Sequence, residues 1–202
     1  MPVLLLPAAR WSRWWSNFEQ RHPGAALERR DAVWEGTAPD GARVRVTLPF
    51  GDPAVGPVPP STVPGPSDWG VLLVRRGGFA VARVGGDRIV AHKIGQRHVQ
   101  GRTKAGGQAQ QRFARRRDNQ ARAAFEAAAE HAARILAGLQ GPVVTGGDRP
   151  AVADVLGDAR LRGLRPVERW LPVPDPRRAV LDAAVLDALA LTVDVHDPVV
   201  RD

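Results

Sequence analysis

Four aromatic residues that recur at the spacing of one helix face predict a helix over residues 7–20. They are Trp11, Trp14, Trp15 and Phe18. Because four aromatic side chains on one face bury a large apolar area, we interpret this helix as docked on the protein core. A platform on which RNA bases stack is the alternative interpretation.

Strands are predicted on both sides of a proline- and glycine-rich stretch. The segments 32–36 and 43–48 flank a turn signal, and in the second one apolar and polar residues alternate, as in a sheet with one solvated face. Residues 49–68 are too rich in proline and glycine for a regular ladder, which indicates a linker or a long surface loop. Glycine pairs separate three further segments, which predict an antiparallel meander of strands over 69–75, 79–84 and 88–92.

The second half of the chain alternates between helix and strand. Helices are predicted over 111–139, 150–156 and 175–190, and strands over 142–145, 167–173 and 191–195. We expect the last strand to close the sheet. The fold class is therefore a mixed α/β or α+β sheet with an antiparallel meander, helices on its faces and an N-terminal tryptophan-rich helix. We expect residues 1–48 to belong to the same domain as the principal part, 69–202.

The composition favours a polyanionic partner. The chain has 202 residues, of which 44% are hydrophobic, so it can bury a core, and its formal net charge is +8. Arginine supplies almost all of the positive charge and matches phosphate bidentately. There is no cysteine, which excludes disulfides and thiolate metal sites. With neither a signal-peptide pattern nor a membrane-spanning stretch, we expect a soluble, cytoplasmic protein, without a membrane partner and monomeric.

The segment from Gly95 to Gln111 combines residue types that suit a loop reaching into an RNA site. Its glycines allow close backbone approach, its cations suit phosphates, and its glutamines offer neutral donors and acceptors. The glycines are Gly95, Gly101, Gly106 and Gly107, the cations Arg97, Arg102 and Lys104, and the glutamines Gln96, Gln100, Gln108, Gln110 and Gln111.

Positive charge continues beyond this segment. Residues 96–122 contain eight basic side chains and a single acidic one, Asp118. The basic residues are Arg97, Arg102, Lys104, Arg112, Arg115, Arg116, Arg117 and Arg122. A charge run on its own is typical of a solvated helix face. Next to the glycine-rich loop, it indicates contact with RNA.

Other catalytic patterns are poorly represented. Asp148, Asp154 and Asp158 are more simply capping or solvated residues than metal ligands. The histidines lack the spacing of a zinc centre, and no serine occupies a nucleophile elbow. An enzyme built from this chain would therefore act by positioning its substrate, and we expect neither a metal nor a cofactor.

The string RTKAGG at residues 102–107, followed by QAQQ at 108–111, resembles the glutamine loop of the Vms-type release-factor-like peptidyl-tRNA hydrolases. The continuation RFARRRDNQA at 112–121 is similar to the actinobacterial branch of that family. The resemblance implies a release-factor-like catalytic domain over 69–202. It also implies hydrolysis of the ester between nascent peptide and tRNA on stalled large ribosomal subunits. Peptidyl-tRNA and ribosomal RNA are the partners that it implies.

Which glutamine acts is left open by the sequence. Gly106, Gly107 and Gln108 spell the Gly-Gly-Gln of true release factors, whereas the Vms-type pattern favours Gln110, with Gln111 as a third candidate. The loop and stem cations from Arg97 to Arg117 are the candidate RNA-binding residues. Two other functions compete with peptide release: endonucleolytic cleavage near the tRNA 3′ end, and ribosome or RNA binding without catalysis.

Overall fold

The computed structural model describes residues 3–51, 56–96 and 108–197, and over residues 108–121 it describes the backbone alone. The chain divides into two compact units, one formed by residues 1–65 and 186–202 and the other by residues 66–185. Each unit is built around one five-stranded sheet. The mixed α+β fold class is thus confirmed, with two sheets in place of one.

The first sheet is antiparallel throughout. Its strands, in spatial order, are β1 (Val3–Leu6), β10 (Leu191–His196), β4 (Arg43–Thr47), β3 (Val33–Thr37) and β2 (Ala26–Arg30). In β4, Val44 and Val46 are buried while Arg43 and Arg45 are exposed. The predicted strand with one solvated face is therefore confirmed.

The tryptophan-rich helix packs on the buried face of this sheet. Helix α1 (Trp11–Arg21) buries Trp11 and Phe18 completely or nearly so, and its aromatic rings stack on one another at centroid distances of 5.4–5.7 Å. Gly36 of β3 lies directly beneath Trp15, where a Cβ atom would come within 2.8 Å of the indole ring. The interpretation of α1 as a docked helix is confirmed.

The second sheet contains the predicted meander. Strands β5 (Trp69–Arg75), β6 (Gly78–Gly85) and β7 (Arg88–Gln96) are antiparallel neighbours, and β7 forms the edge. On the other side of β5, strands β8 (Pro142–Gly147) and β9 (Arg165–Leu171) continue the sheet in parallel orientation. The central strand β5 is almost wholly apolar, as expected for a strand covered on both faces.

Two helices cover one face of the second sheet. They are α2 (Gln108–Ile135) and α3 (Arg149–Leu156), and their buried residues form one core with Leu72 and Val81 of the strands. Near the end of α2, Leu136 and Leu139 approach Gly70, where a Cβ atom would come within 3.1 Å of both side chains. The glycine therefore permits the close approach of this end of the helix region to β5.

The last strand differs from the prediction. It does not close the sheet of the meander but lies between β1 and β4, where Val193 pairs with both Leu4 and Val46. An alternating pattern predicts which face of a strand is buried, but both sheets offer such a face, so the pattern does not identify the sheet. The predicted division into residues 1–48, 49–68 and 69–202 stays a prediction.

Three further elements differ in detail. Strands β1 and β2 were not predicted. β1 is only a short apolar run, and β2 is an edge strand that is almost fully exposed. The last helix, α4 (Arg178–Ala188), begins three residues later than predicted, since the amide of Leu181 donates to the carbonyl of Arg177. Asp175 is consequently not a helix cap; it forms an ion pair with Arg75 at 3.4 Å.

Truncation of the buried aromatic residue of α1 tests the packing of the first sheet. Phe18 is fully buried, so Phe18→Ala removes a large apolar side chain and leaves a cavity. We expect the free energy of unfolding to fall by about 3–5 kcal/mol, measured by urea denaturation. Asn17→Ala, an exposed change on the same helix, is the control. Equal denaturation midpoints for the two variants would contradict the docked position of α1.

Candidate active site

The strand that precedes the glutamine-rich segment is held tightly to the sheet at its end. β7 pairs with β6 as far as Gln96, so Gly95 and Gln96 belong to a strand and not to the predicted loop. A Cβ atom on Gly95 would overlap the ring of Phe79, with which Gly95 is paired. Glycine is therefore the residue that fits here, and Gln96 is a fixed point from which residues 97–107 follow.

The segment re-enters the described part of the chain as a helix. α2 begins at Gln108, three residues earlier than predicted, so Gln108, Gln110 and Gln111 lie in its first turn. The four stem arginines continue along the same helix and are Arg112, Arg115, Arg116 and Arg117. The remaining candidates lie outside the described residues, and they are Arg97, Arg102, Lys104, Gly106 and Gly107.

Helix α2 contacts the end of β7 near its own carboxyl end, far from its first turn. The ring of His131 stacks on Phe79 at a centroid distance of 5.6 Å, and Phe79 is paired with Gly95. Since His131 follows Gln108 by 23 residues, about 34 Å of helix lie between them at 1.5 Å per residue. The candidate glutamines therefore lie in the first turn of a long helix, the first of them 16 residues before Ala124, its first buried residue among those whose side chains are described.

His131 is a polar group at this contact between helix and sheet. Its Nδ1 atom lies 2.7 Å from a guanidinium nitrogen of Arg134. Burial lowers the pKa of His131 below its ordinary value, and the nearby charges of Arg134 and Lys93 lower it further, against a smaller opposing effect of Glu130. The imidazole is thus held in its neutral form at neutral pH.

The other end of α2 is anchored by an arginine of the sheet. Arg83 in β6 donates two hydrogen bonds of 2.7 Å to the carboxylate of Asp68, and a third of 2.9 Å to the carbonyl of Ala137, just after the helix. The hydrogen bonds from Arg83 lower the pKa of Asp68. A guanidinium fork therefore joins the sheet to the carbonyl end of the helix region.

The three aspartates considered as metal ligands have structural or solvated positions. Asp158 accepts a hydrogen bond from the backbone N–H of Arg160 and pairs with its side chain, and these bonds lower the pKa of Asp158 to about 2. Asp148 precedes α3 without a side-chain capping bond, and Asp154 is exposed. In the described ranges, no three histidine or carboxylate groups are close enough to hold a metal ion.

Comparison with known proteins identifies the family. The family model described as Actinobacteria/chloroflexi VLRF1 release factor matches residues 67–194, more than half of the chain. The chain belongs to this family. The match contains the whole of the second sheet, the candidate glutamines and the basic start of α2. The resemblance to the actinobacterial release-factor-like family is thereby confirmed.

Solved structures that the chain resembles include the crystal structure of the archaeal translation termination factor aRF1. The two share 15% identity with a TM-score of 0.45, over 75% of this chain and 48% of the other. The chain thus corresponds to about half the length of that factor. No curated protein matches the sequence. Among the described residues, none of the helices has the length and apolar character needed to cross a bilayer.

Adding a methyl group at the end of β7 tests the contact that orients the glutamine segment. Gly95→Ala forces the buried Phe79 ring to shift, so we expect a loss of about 1–3 kcal/mol in the free energy of unfolding from overpacking. Gly163→Ala is the matched control, since a Cβ atom there meets nothing within 4 Å. A similar small effect of both changes in urea denaturation would show that Phe79 does not occupy the space above Gly95.

The protonation of His131 gives a pH-dependent test of the same contact. Because folding lowers the pKa of His131 below 6.5, the unfolded chain binds this proton more strongly. His131 therefore contributes a loss of stability as the pH falls below about 6.5. We expect an NMR titration midpoint below 6.5 for the His131 ring, and a weaker pH dependence of unfolding in His131→Gln. A midpoint at or above 6.5 would contradict the partly buried, cation-flanked position.

Proposed function

We propose that this protein is a metal-independent peptidyl-tRNA hydrolase that releases nascent peptides on stalled large ribosomal subunits. The observation that carries the proposal is the family match, which spans the entire segment of glycines, glutamines and cations. The described helix supports it, because its first turn contains three candidate glutamines, the first of them 16 residues before Ala124, its first buried residue among those whose side chains are described. Glutamines at the start of a long helix are suited to placing an amide in a narrow site between RNA strands.

The proposed chemical role belongs to Gln110, with Gln108 and Gln111 as the other candidates. An acyl ester is already activated, so its hydrolysis needs a water held in line and stabilisation of the oxyanion that develops. A glutamine side chain both accepts and donates hydrogen bonds and can orient the water without a change of charge. The first turn of a helix also has free backbone N–H groups and a partial positive charge, which favour a developing anion nearby.

The cations around these glutamines have a separate role in the proposal. Seven of the eight basic residues between 96 and 122 are the candidates for holding tRNA or ribosomal RNA phosphates, with only Asp118 to oppose them. Each phosphate that an arginine neutralises releases counterions, so binding should weaken steeply as salt is added. Affinity would therefore come from the arginines and the chemical step from a neutral amide.

A glutamine series tests the assignment. Gln110→Ala removes the amide that orients water, so we expect peptide release from purified large subunits carrying peptidyl-tRNA to slow by about 10²–10³-fold, as for the loss of one oxyanion-type contact. Binding to the subunits should stay close to that of the unchanged protein. Gln140→Ala, an exposed glutamine beyond the other end of α2, is the matched control and should release peptide normally.

The released tRNA distinguishes the competing reactions. Ester hydrolysis leaves an intact CCA end, whereas endonucleolytic cleavage shortens the tRNA. Undiminished release when Gln108, Gln110 and Gln111 are all changed to alanine would rule out the proposed site. Sedimentation with large subunits without any peptide release would show instead that the protein is a non-catalytic binding module.

A further inference from the structure

One end of the second sheet carries arginines that the glutamine segment does not include. β5 ends at Arg75 and β6 begins at Gly78, beside Gln96 at the end of β7. Two other strands end here as well. Gly147 at the end of β8 pairs with Val74, and Leu171 at the end of β9 pairs with Gly146. This end of the sheet, here called the loop end, is the one from which residues 97–107 follow.

Two exposed arginines lie at the loop end on neighbouring strand connections. Arg76 is in the turn between β5 and β6, and Arg149 is the first residue of α3, directly after β8. The amide of Asp148 donates to the carbonyl of Val74 at 2.8 Å, so the two connections begin side by side. The arginines are 73 positions apart in sequence, and only the parallel pairing of β5 with β8 brings them to one surface.

The side chain of Arg149 is supported by an aromatic ring. Its guanidinium carbon lies 4.3 Å from the centroid of the Trp170 ring, and Trp170 is half-buried against the core of the second sheet. Stacking on an indole limits the freedom of the guanidinium plane while its N–H groups remain available at the plane's edge. A planar fork held in this way suits a phosphate, which it can bind through two parallel hydrogen bonds.

The two arginines also differ from Arg75 in their pairing. Arg75 is an ion-pair partner of Asp175 and donates to the carbonyl of Val173 at 2.9 Å. In the described part of the chain, no acidic side chain forms an ion pair with Arg76 or Arg149. Their charges are therefore available at the surface, and three more cations follow in sequence between residues 97 and 107.

We propose that Arg76 and Arg149 bind backbone phosphates of the large subunit's ribosomal RNA, at the end of the sheet from which residues 97–107 follow. The inference rests on the proposed function, in which the glutamines reach an ester inside the subunit. Substrate tRNA offers its 3′ end to the glutamines, about 34 Å along the helix from the level of Phe79. The loop end lies behind that point, so it faces the RNA that surrounds the site and not the reacting end of the tRNA.

Binding to vacant large subunits tests this surface without tRNA and without catalysis. We expect the double variant Arg76→Ala, Arg149→Ala to bind more weakly at low salt. The slope of log affinity against log salt concentration should become shallower by about one unit for each phosphate contact that is lost. Arg76→Ala alone should account for about one unit, and since Arg76 is exposed and lies in a turn, this variant separates charge from any effect of Arg149 on folding.

A matched pair of arginines at the opposite end of the same sheet provides the control. Arg162 and Arg165 are exposed and precede or begin β9, and Arg165 pairs with Pro142 at the start of β8. Arg162→Ala, Arg165→Ala removes the same charge, so an equal change in slope would indicate a general charge effect and overturn the assignment.

Three further outcomes are informative. An unchanged slope in the Arg76 variants, with peptide release by the unchanged protein intact, would overturn this inference and leave the proposed function standing. Weaker binding only when the subunits carry tRNA would assign the surface to tRNA, which also contradicts the proposal. Absence of release with a normal slope change would contradict the proposed function while the RNA contact remained.

Discussion

The contact between helix α2 and the strands β6 and β7 determines where the candidate glutamines can lie. Small residues make this contact close: Ala128, Ala129 and Ala132 are buried against the sheet, and Phe79 occupies the space above Gly95. Because interiors are densely packed and resist sliding, the helix axis is fixed by these residues. The candidate glutamines lie up to about 24 Å along the helix from Ala124, the first buried residue of α2 among those whose side chains are described, so their orientation depends on packing at a distance from them.

The anchors at the two ends of this contact are chemically different. At the Gly95 end, His131 stacks on Phe79 and is held neutral by burial beside two cations. At the far end, Arg83 is fully charged and makes three hydrogen bonds, two to Asp68 and one to the carbonyl of Ala137. The charge of Arg83 is thus paired where it joins the sheet to the helix region. The imidazole of His131, which packs on an aromatic ring, is instead kept neutral. Both arrangements limit the cost of a partly desolvated charge at the contact.

Local patterns predicted most of the second sheet. The glycine pairs defined the meander because a two-residue turn constrains strands that are adjacent in sequence. The position of β10 was not predictable in this way, because Leu191 and Val193 could lie on the buried face of either sheet. The choice depends on a partner of Val193 that lies 147 residues earlier, Val46. The predicted start of α4 was wrong for a related reason. Aspartate is a residue type that often caps helices, but Asp175 forms an ion pair with Arg75 instead.

The same distinction applies to the candidate site. The identities of the glutamines and stem cations are local features, and a continuous string was enough to find them. Neither the place of Gly95 in β7 nor the position of Arg76 and Arg149 at one end of the sheet is a local feature, because both depend on the register of strands. A glycine opposite a phenylalanine on neighbouring strands indicates an aromatic ring that lies over the glycine backbone. This signal for Gly95 can be used only once the pairing of β6 with β7 is known.

The division of work between cations and amides has a physical consequence for the proposed reaction. Arginine contacts to phosphate are weakened by salt because counterions compete for the same charge. A glutamine that orients water bears no net charge, so its contribution to the barrier of a bound complex is not screened in the same way. Salt should then reduce the fraction of subunits that are occupied, while the rate of ester hydrolysis in occupied subunits changes little. A side chain that had to gain or lose a proton would not allow this separation, since neighbouring arginines would shift its pKa with every change in ionic strength.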